Sequence, residues 1–265
     1  MELLEALRLQ WEWGADEALL DAPQDRRHAA APPPPAEAPP AAPLRPVQAQ
    51  RPAPAMPAGP AEARTLAESC QSLVELEEVM RNFTGCALRD TATQLVFADG
   101  AADARLVLVG EAPGAEEDRA GKPFVGPAGL LLDRMLASIG LDRSKVRIIN
   151  AVPWRPPGNR APTEAELALC RPFLHRHIAL IAPRGLMALG AVAAKALLPA
   201  EGAMGIRRLR GTWREAEIAG LGAPLPCLAT YHPAYLMRTP LAKAEAWRDL
   251  LTLKAWLESQ PTDCA

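Results

Sequence analysis

At 265 residues, about half of them apolar, the chain can bury one sizeable core plus an appendage but not two full domains. A formal charge of −2, the absence of any apolar run near 18 residues and the lack of a basic leader ahead of an apolar stretch argue against secretion or membrane insertion, so a cytoplasmic protein is expected. The five cysteines (Cys70, Cys86, Cys170, Cys227, Cys264) are odd in number, widely spaced and without a CxxC pair, which argues against a disulfide framework and against a self-evident metal site.

Residues 1–22 place Leu3, Leu4, Leu7 and Trp11 on one side and acids on the other, the pattern of an amphipathic helix. A helix this short is marginal alone and needs an apolar partner, either the domain itself or another protein. Residues 23–60 turn to Ala and Pro, including PPPP at 32–35, and read as an extended, disordered linker. The folded domain is expected over 61–265. It opens with a helix over 62–82 and a loop carrying Cys86. A buried strand RLVLVG (105–110) follows, then a helix over 128–140 and a second buried strand VRIIN (146–150). A long helix spans 163–182, and the third strand GLMALG (185–190) leads into a helix over 191–198. TWREAEI (212–218) alternates as a half-exposed strand, PCLATYHP (226–233) holds the last buried one, and a helix over 241–259 closes the chain. Strands separated by helices predict an α/β fold, a three-layer α/β/α sandwich around a mostly parallel central sheet.

Ligands in such sheets bind where loops leave the carboxyl ends of the strands. Three of those ends here are GEAPG, INAVPWRPPGNR and TYHPAY, all richer in polar residues than a connector requires. The segment 110–129, GEAPGAEEDRAGKPFVGPAG, adds a stiff Gly/Pro-rich loop with one aromatic, Phe124. Charge is unevenly spread: residues 62–142 carry 14 acids against 7 bases, and residues 143–210 carry 12 bases against 3 acids. The cationic segment holds Arg155, Arg160, Arg207, Arg208 and Arg210, which suits either a solvated surface or a polyanion-binding face.

GEAPGAEED, GKPFVGPAG, NAVPWRPPGNRAPT and TYHPAYLMR, in that order, resemble the uracil-DNA glycosylase superfamily, most closely family 4, from about Phe83 to the last helix. The resemblance implies a monofunctional, monomeric DNA-repair glycosylase that flips uracil out of DNA and hydrolyses its N-glycosidic bond, leaving an abasic site. It assigns Phe124 to stacking on the base, and Asn150 to reading O4 and N3–H, which cytosine presents reversed. His232 is assigned to stabilising the charge that builds on departing uracil. Glu111 and Glu117 are site residues whose roles stay open: backbone or water polarisation for the first, pocket lining for the second. Ala112 stands where better-known relatives carry a water-orienting Asp, so direct carboxylate help from that point is ruled out. Tyr235 and Leu236 are candidate wedges and Arg238 a phosphate contact, with the five arginines tracking the backbone.

Family 4 usually holds a four-iron, four-sulfur cluster on four cysteines. Cys86 and Cys170 match two of those ligands, but Phe83 and Trp154 stand at the other two. Two thiols are too few, so no cofactor is expected. The two aromatics are expected to fill the vacated volume, with Phe83, Cys86, Trp154 and Cys170 together and buried. No inserted basic loop of the kind a DNA-trapping branch carries follows the first motif. The alternatives are a damage-binding module that keeps the fold without efficient catalysis, and a hydrolase of small nucleosides.

Overall fold

The computed structural model describes residues 59–201 and 204–260, all within one compact unit. The helix expected over 1–22, all but the last two residues of the linker over 23–60, and Cys264 lie outside the described residues.

Helices α1 (Pro60–Ser69) and α2 (Leu73–Asn82) replace the single helix expected over 62–82. The break comes from Ser72, whose hydroxyl accepts from the Glu75 N–H while the Glu75 carboxylate accepts from the Gln71 N–H; this reciprocal cap starts a new helix. A one-turn helix α3 (Leu88–Thr91) and a two-residue strand β1 (Asp99–Gly100) lead to β2 (Leu106–Gly110). There follow α4 (Ala115–Ala120), α5 (Pro127–Ala137), β3 (Arg147–Asn150), α6 (Glu164–Ile181), β4 (Gly185–Leu189) and α7 (Ala191–Leu197). The chain ends in α8 (Ile206–Leu209), β5 (Trp213–Ala216), β6 (Leu225–Thr230), α9 (Pro233–Arg238) and α10 (Lys243–Ser259).

The six strands form one sheet in the order β1-β3-β2-β4-β6-β5. The four inner strands are parallel, and both edge strands pair antiparallel. Every residue of β2 and β4 is buried, because helices cover both faces; that is why these strands read as unbroken apolar runs. One core joins α1, α2, α6 and α7 to one face of the sheet. The other joins α5, α9 and α10 to the opposite face. The expected three-layer sandwich is the fold observed.

Chain order sets the position of the site. From β2 the chain moves outward to β3 on one side, whereas from β4 it moves to β6 on the other. The two directions part between β2 and β4, which opens a crevice at their carboxyl ends, the usual ligand position in an open α/β sheet.

Candidate active site

A cavity of about 670 Å³ occupies that crevice. Its walls include Glu111 and Ala112 after β2, Asn150 at the end of β3, Gly190 after β4 and His232 just after β6, with Phe124 reaching in from the loop between α4 and α5. The structure therefore brings Phe124, Asn150 and His232 to one cavity from three separate loops.

Gly110 and Asn150 are register partners at the ends of β2 and β3. A Cβ on Gly110 would stand 2.6 Å from Cε2 of Phe124 and would overlap the Asn150 carboxamide oxygen, so only glycine lets the aromatic ring and the amide share this corner. The Asn150 carboxamide makes no hydrogen bond among the described residues, leaving its donor and acceptor free toward the cavity. Phe124 is buried, and its backbone takes φ = 54°, a left-handed conformation rare for a side chain of this bulk. Its ring stacks beside the His232 imidazole with centroids 5.5 Å apart and planes at 28°.

His232 is the N-cap of α9. Its Nδ1 accepts from the Ala234 N–H at 3.1 Å, so in the neutral ring the proton sits on Nε2. Burial, reinforced by the Arg238 charge, lowers its pKa to about 4. At neutral pH the ring is therefore uncharged, with one N–H donor. Gly190 makes room for it: a Cβ there would lie 2.9 Å from the His232 Cβ, and its φ of +97° also demands glycine. Gly110 and Gly190 were missed as site residues; each is a glycine closing a buried strand, the signal that would have found them.

Glu111 lines the cavity, and burial raises its carboxyl pKa against the opposing pull of Arg238. Ala112 lies beside it on the same wall. Glu117 also reaches the wall, but its carboxylate is engaged by backbone: Oε2 accepts from Gly114 N–H at 3.1 Å, and Oε1 from Val125 and Gly126 N–H at 3.0 and 2.9 Å. This carboxylate ties the start of α4 to the loop that carries Phe124.

The candidate DNA contacts divide. Arg160, Arg207, Tyr235 and Arg238 line the cavity mouth, and Arg208 is exposed next to Arg207. Arg155 and Arg160 are partly neutralised, Arg155 by Asp118 at 4.0 Å and Arg160 by a bidentate pair with Glu166 at 2.9 and 2.7 Å. Arg210 does not belong to the outer face. Its guanidinium packs over the Tyr231 ring, pairs with Asp249 at 2.6 and 3.0 Å and reaches Glu245 at 3.2 Å. Asp249 is itself only 1 % exposed and holds the Thr230 hydroxyl at 2.6 Å. The placement of Arg210 has a simple physical cause: a buried carboxylate requires a cation. Arg210→Ala is expected to cost about 3–5 kcal/mol in denaturant unfolding by stranding that carboxylate, with the salt dependence of DNA binding unchanged. Arg207→Ala is expected to do the reverse.

Leu236 is also displaced from its expected place. It is 1 % exposed, turned inward against the α5–α10 core, because the helical turn of α9 points successive side chains to different sides. Its neighbours Tyr235 and Met237 are exposed, at 37 % and 47 %.

Phe83, Cys86, Trp154 and Cys170 are all buried in one core. Phe83 stacks on Trp154 with centroids 6.4 Å apart and meets Phe173 edge-on at 5.0 Å. The Cys86 and Cys170 thiols act on each other's titration: the Cys170 thiol lowers the Cys86 pKa to about 7, while Cys86 and burial push Cys170 up. A four-iron cluster does not fit this donor set, because the four positions supply two thiols and two aromatic rings where such a cluster takes four thiolates.

A model of the Uracil DNA glycosylase superfamily matches residues 97–251. The chain is 40% identical over 180 residues to a type-4 uracil-DNA glycosylase of Pyrobaculum aerophilum, spanning 67% of this chain and 91% of that protein. It is also 40% identical over 169 residues to the type-4 enzyme of Thermotoga maritima, spanning 63% and 85%. A type-5 uracil-DNA glycosylase of Mycobacterium leprae is 34% identical over 152 residues, spanning 51% and 65%. The matched region contains the cavity and the loops that deliver Phe124, Asn150 and His232 to it, and on these grounds the chain belongs to the uracil-DNA glycosylase superfamily.

Proposed function

We propose that this protein excises uracil from DNA, leaving an abasic site. The observation that carries the reading is the meeting of an aromatic ring, an unpaired carboxamide and a neutral imidazole in one cavity at the sheet's switch point. Phe124 offers a face for an extruded base, and Asn150 pairs with O4 and N3–H of uracil but mismatches cytosine. As the bond between the sugar and N1 breaks, its electron pair moves onto the base, and negative charge develops on O2. The Nε2–H of His232 donates to that oxygen, a bond that strengthens in the transition state. Water then adds to the cationic sugar carbon and loses a proton to solvent. Glu111, which lines the cavity with Ala112 beside it, is the carboxyl proposed to hold that water. Glu117 acts by shape, since its oxygens are already taken by three backbone donors.

Around the mouth, Arg155, Arg160, Arg207, Arg208 and Arg238 form the phosphate-binding face, and Tyr235 is the wedge beside the extruded nucleotide. The donor set at Phe83, Cys86, Trp154 and Cys170 supports a protein that works without an iron–sulfur centre. Iron and acid-labile sulfide below stoichiometry in protein purified without oxygen support this; a visible cluster absorbance overturns it.

All four described cysteines are free, which suits the reducing cytoplasm, and no described helix is long and apolar enough to cross a membrane. The proposed unit of action is a monomer on uracil-containing DNA, and the proposed role of the segment 1–22 is to recruit a protein partner.

The test is alkaline nicking of a uracil-containing oligonucleotide after incubation with the full chain. Nicking at uracil and not at thymine or cytosine supports the reading. Binding without nicking favours a damage-binding module, and cleavage of free deoxyuridine a nucleoside hydrolase.

A further inference from the structure

Phe124 combines a buried ring with a left-handed backbone, a conformation that persists only when its surroundings impose it. Two groups hold the peptide from opposite sides. Glu117 takes the N–H groups of Val125 and Gly126, just after the ring. Arg143 takes the carbonyls: Nη2 donates to the oxygen of Phe124 and Nη1 to that of Pro123 at 3.3 Å. Arg143 opens a single 3-10 turn before β3, outside the cavity walls, and no motif in the sequence marks it.

The guanidinium is itself fixed. Its Nε donates to Asp133 Oδ1 of α5 at 2.7 Å, and its Nη1 to Asp99 Oδ2 of β1 at 2.6 Å. This gives the two-residue edge strand a purpose: pairing with β3 carries Asp99 to the arginine. Gly129 completes the arrangement, since a Cβ there would run into the Phe124 carbonyl.

We propose that Arg143 is a positioning residue for base recognition, clamping the Phe124 carbonyl so that the ring stays in place before DNA arrives. The inference rests on the reading of Phe124 as the platform for uracil. Holding the platform in advance removes an ordering cost from binding. A lysine would keep the positive charge between Asp99 and Asp133 but lacks the planar fork that serves two carboxylates and two carbonyls together.

Arg143→Lys is therefore expected to raise KM for uracil-containing DNA about 10- to 100-fold, the range set by freeing one strained backbone position. Its kcat should fall less, and its melting temperature should stay near that of the parent. In a Phe124→Ala background the same substitution should have no further effect on kcat/KM, because the residue it positions is gone. Amide exchange at Val125 and Gly126 should also rise in Arg143→Lys, a readout independent of activity. Equal losses in both backgrounds, or unchanged exchange in the loop, overturn the clamp. A parent chain that releases no uracil sinks the functional reading instead, and the exchange measurement then decides the clamp alone.

Discussion

His232→Ala is expected to slow uracil release by about 100- to 1000-fold in single-turnover kinetics, with DNA binding little changed. The imidazole donates from Nε2 because Nδ1 is occupied by the Ala234 N–H, and burial keeps the ring neutral. The pH dependence tests the same geometry. An ordinary histidine titrates near 6.5, whereas this one titrates near 4, so its contribution to the rate should be flat from pH 8 to 6 and change only as pH falls toward 4. A step centred between 6 and 7 that disappears in His232→Ala would show a ring charged in the resting site. The linkage has a stability counterpart. His175, His177 and His232 have pKa values lowered to about 4, 3 and 4, in each case chiefly by burial. Their stabilising effect is complete above about 6.5 and is lost as pH falls through 4, because only the unfolded chain binds protons in that window. The His232→Ala protein should also lose about 1 kcal/mol of stability with its cap on α9.

Asn150→Ala is the second large effect, expected as a loss of about 100-fold or more in kcat/KM for uracil. A site built to hydrogen-bond a polar edge discriminates strongly when one side of the pair is removed. The carboxamide has no other partner to reorganise, and alanine at the end of β3 leaves no stranded charge, so the fold should survive. Inhibition by free uracil should weaken in parallel. A variant that cleaves and binds uracil as the parent does would remove Asn150 from base reading.

Much of the fold was legible because burial on both faces of a parallel sheet writes itself as continuous apolar runs. LVLVG, RIIN and GLMAL were located to within one residue for that reason, and LPCLAT to within one residue at its start, though the segment expected to hold it ran three residues past its end. The short elements were not legible. α4 lies in a segment read as loop, β1 is two residues long, and α9 is a six-residue helix begun by the His232 cap; these depend on contacts made elsewhere in the chain. At the site, residue types at strand ends pointed to Phe124, Asn150 and His232, and Gly110 and Gly190 are marked only by closing buried strands, whereas Arg143 carries no local signature.

By itself, the sequence determined which residues carry chemistry and the order of strands and helices that places them, since periodicity and motif are properties of neighbours along the chain. Only the tertiary structure decided what each charge and side chain is used for. Arg210 reads as one more surface cation until Asp249 is found buried opposite it. Leu236 reads as a wedge until α9 turns it inward, and Glu117 as a pocket-lining carboxylate of open role until three backbone amides claim its oxygens. In each case the partner lies on a different turn or in a distant segment, and the cost of burying a polar or apolar group away from its match is settled by proximity in space rather than by distance along the chain.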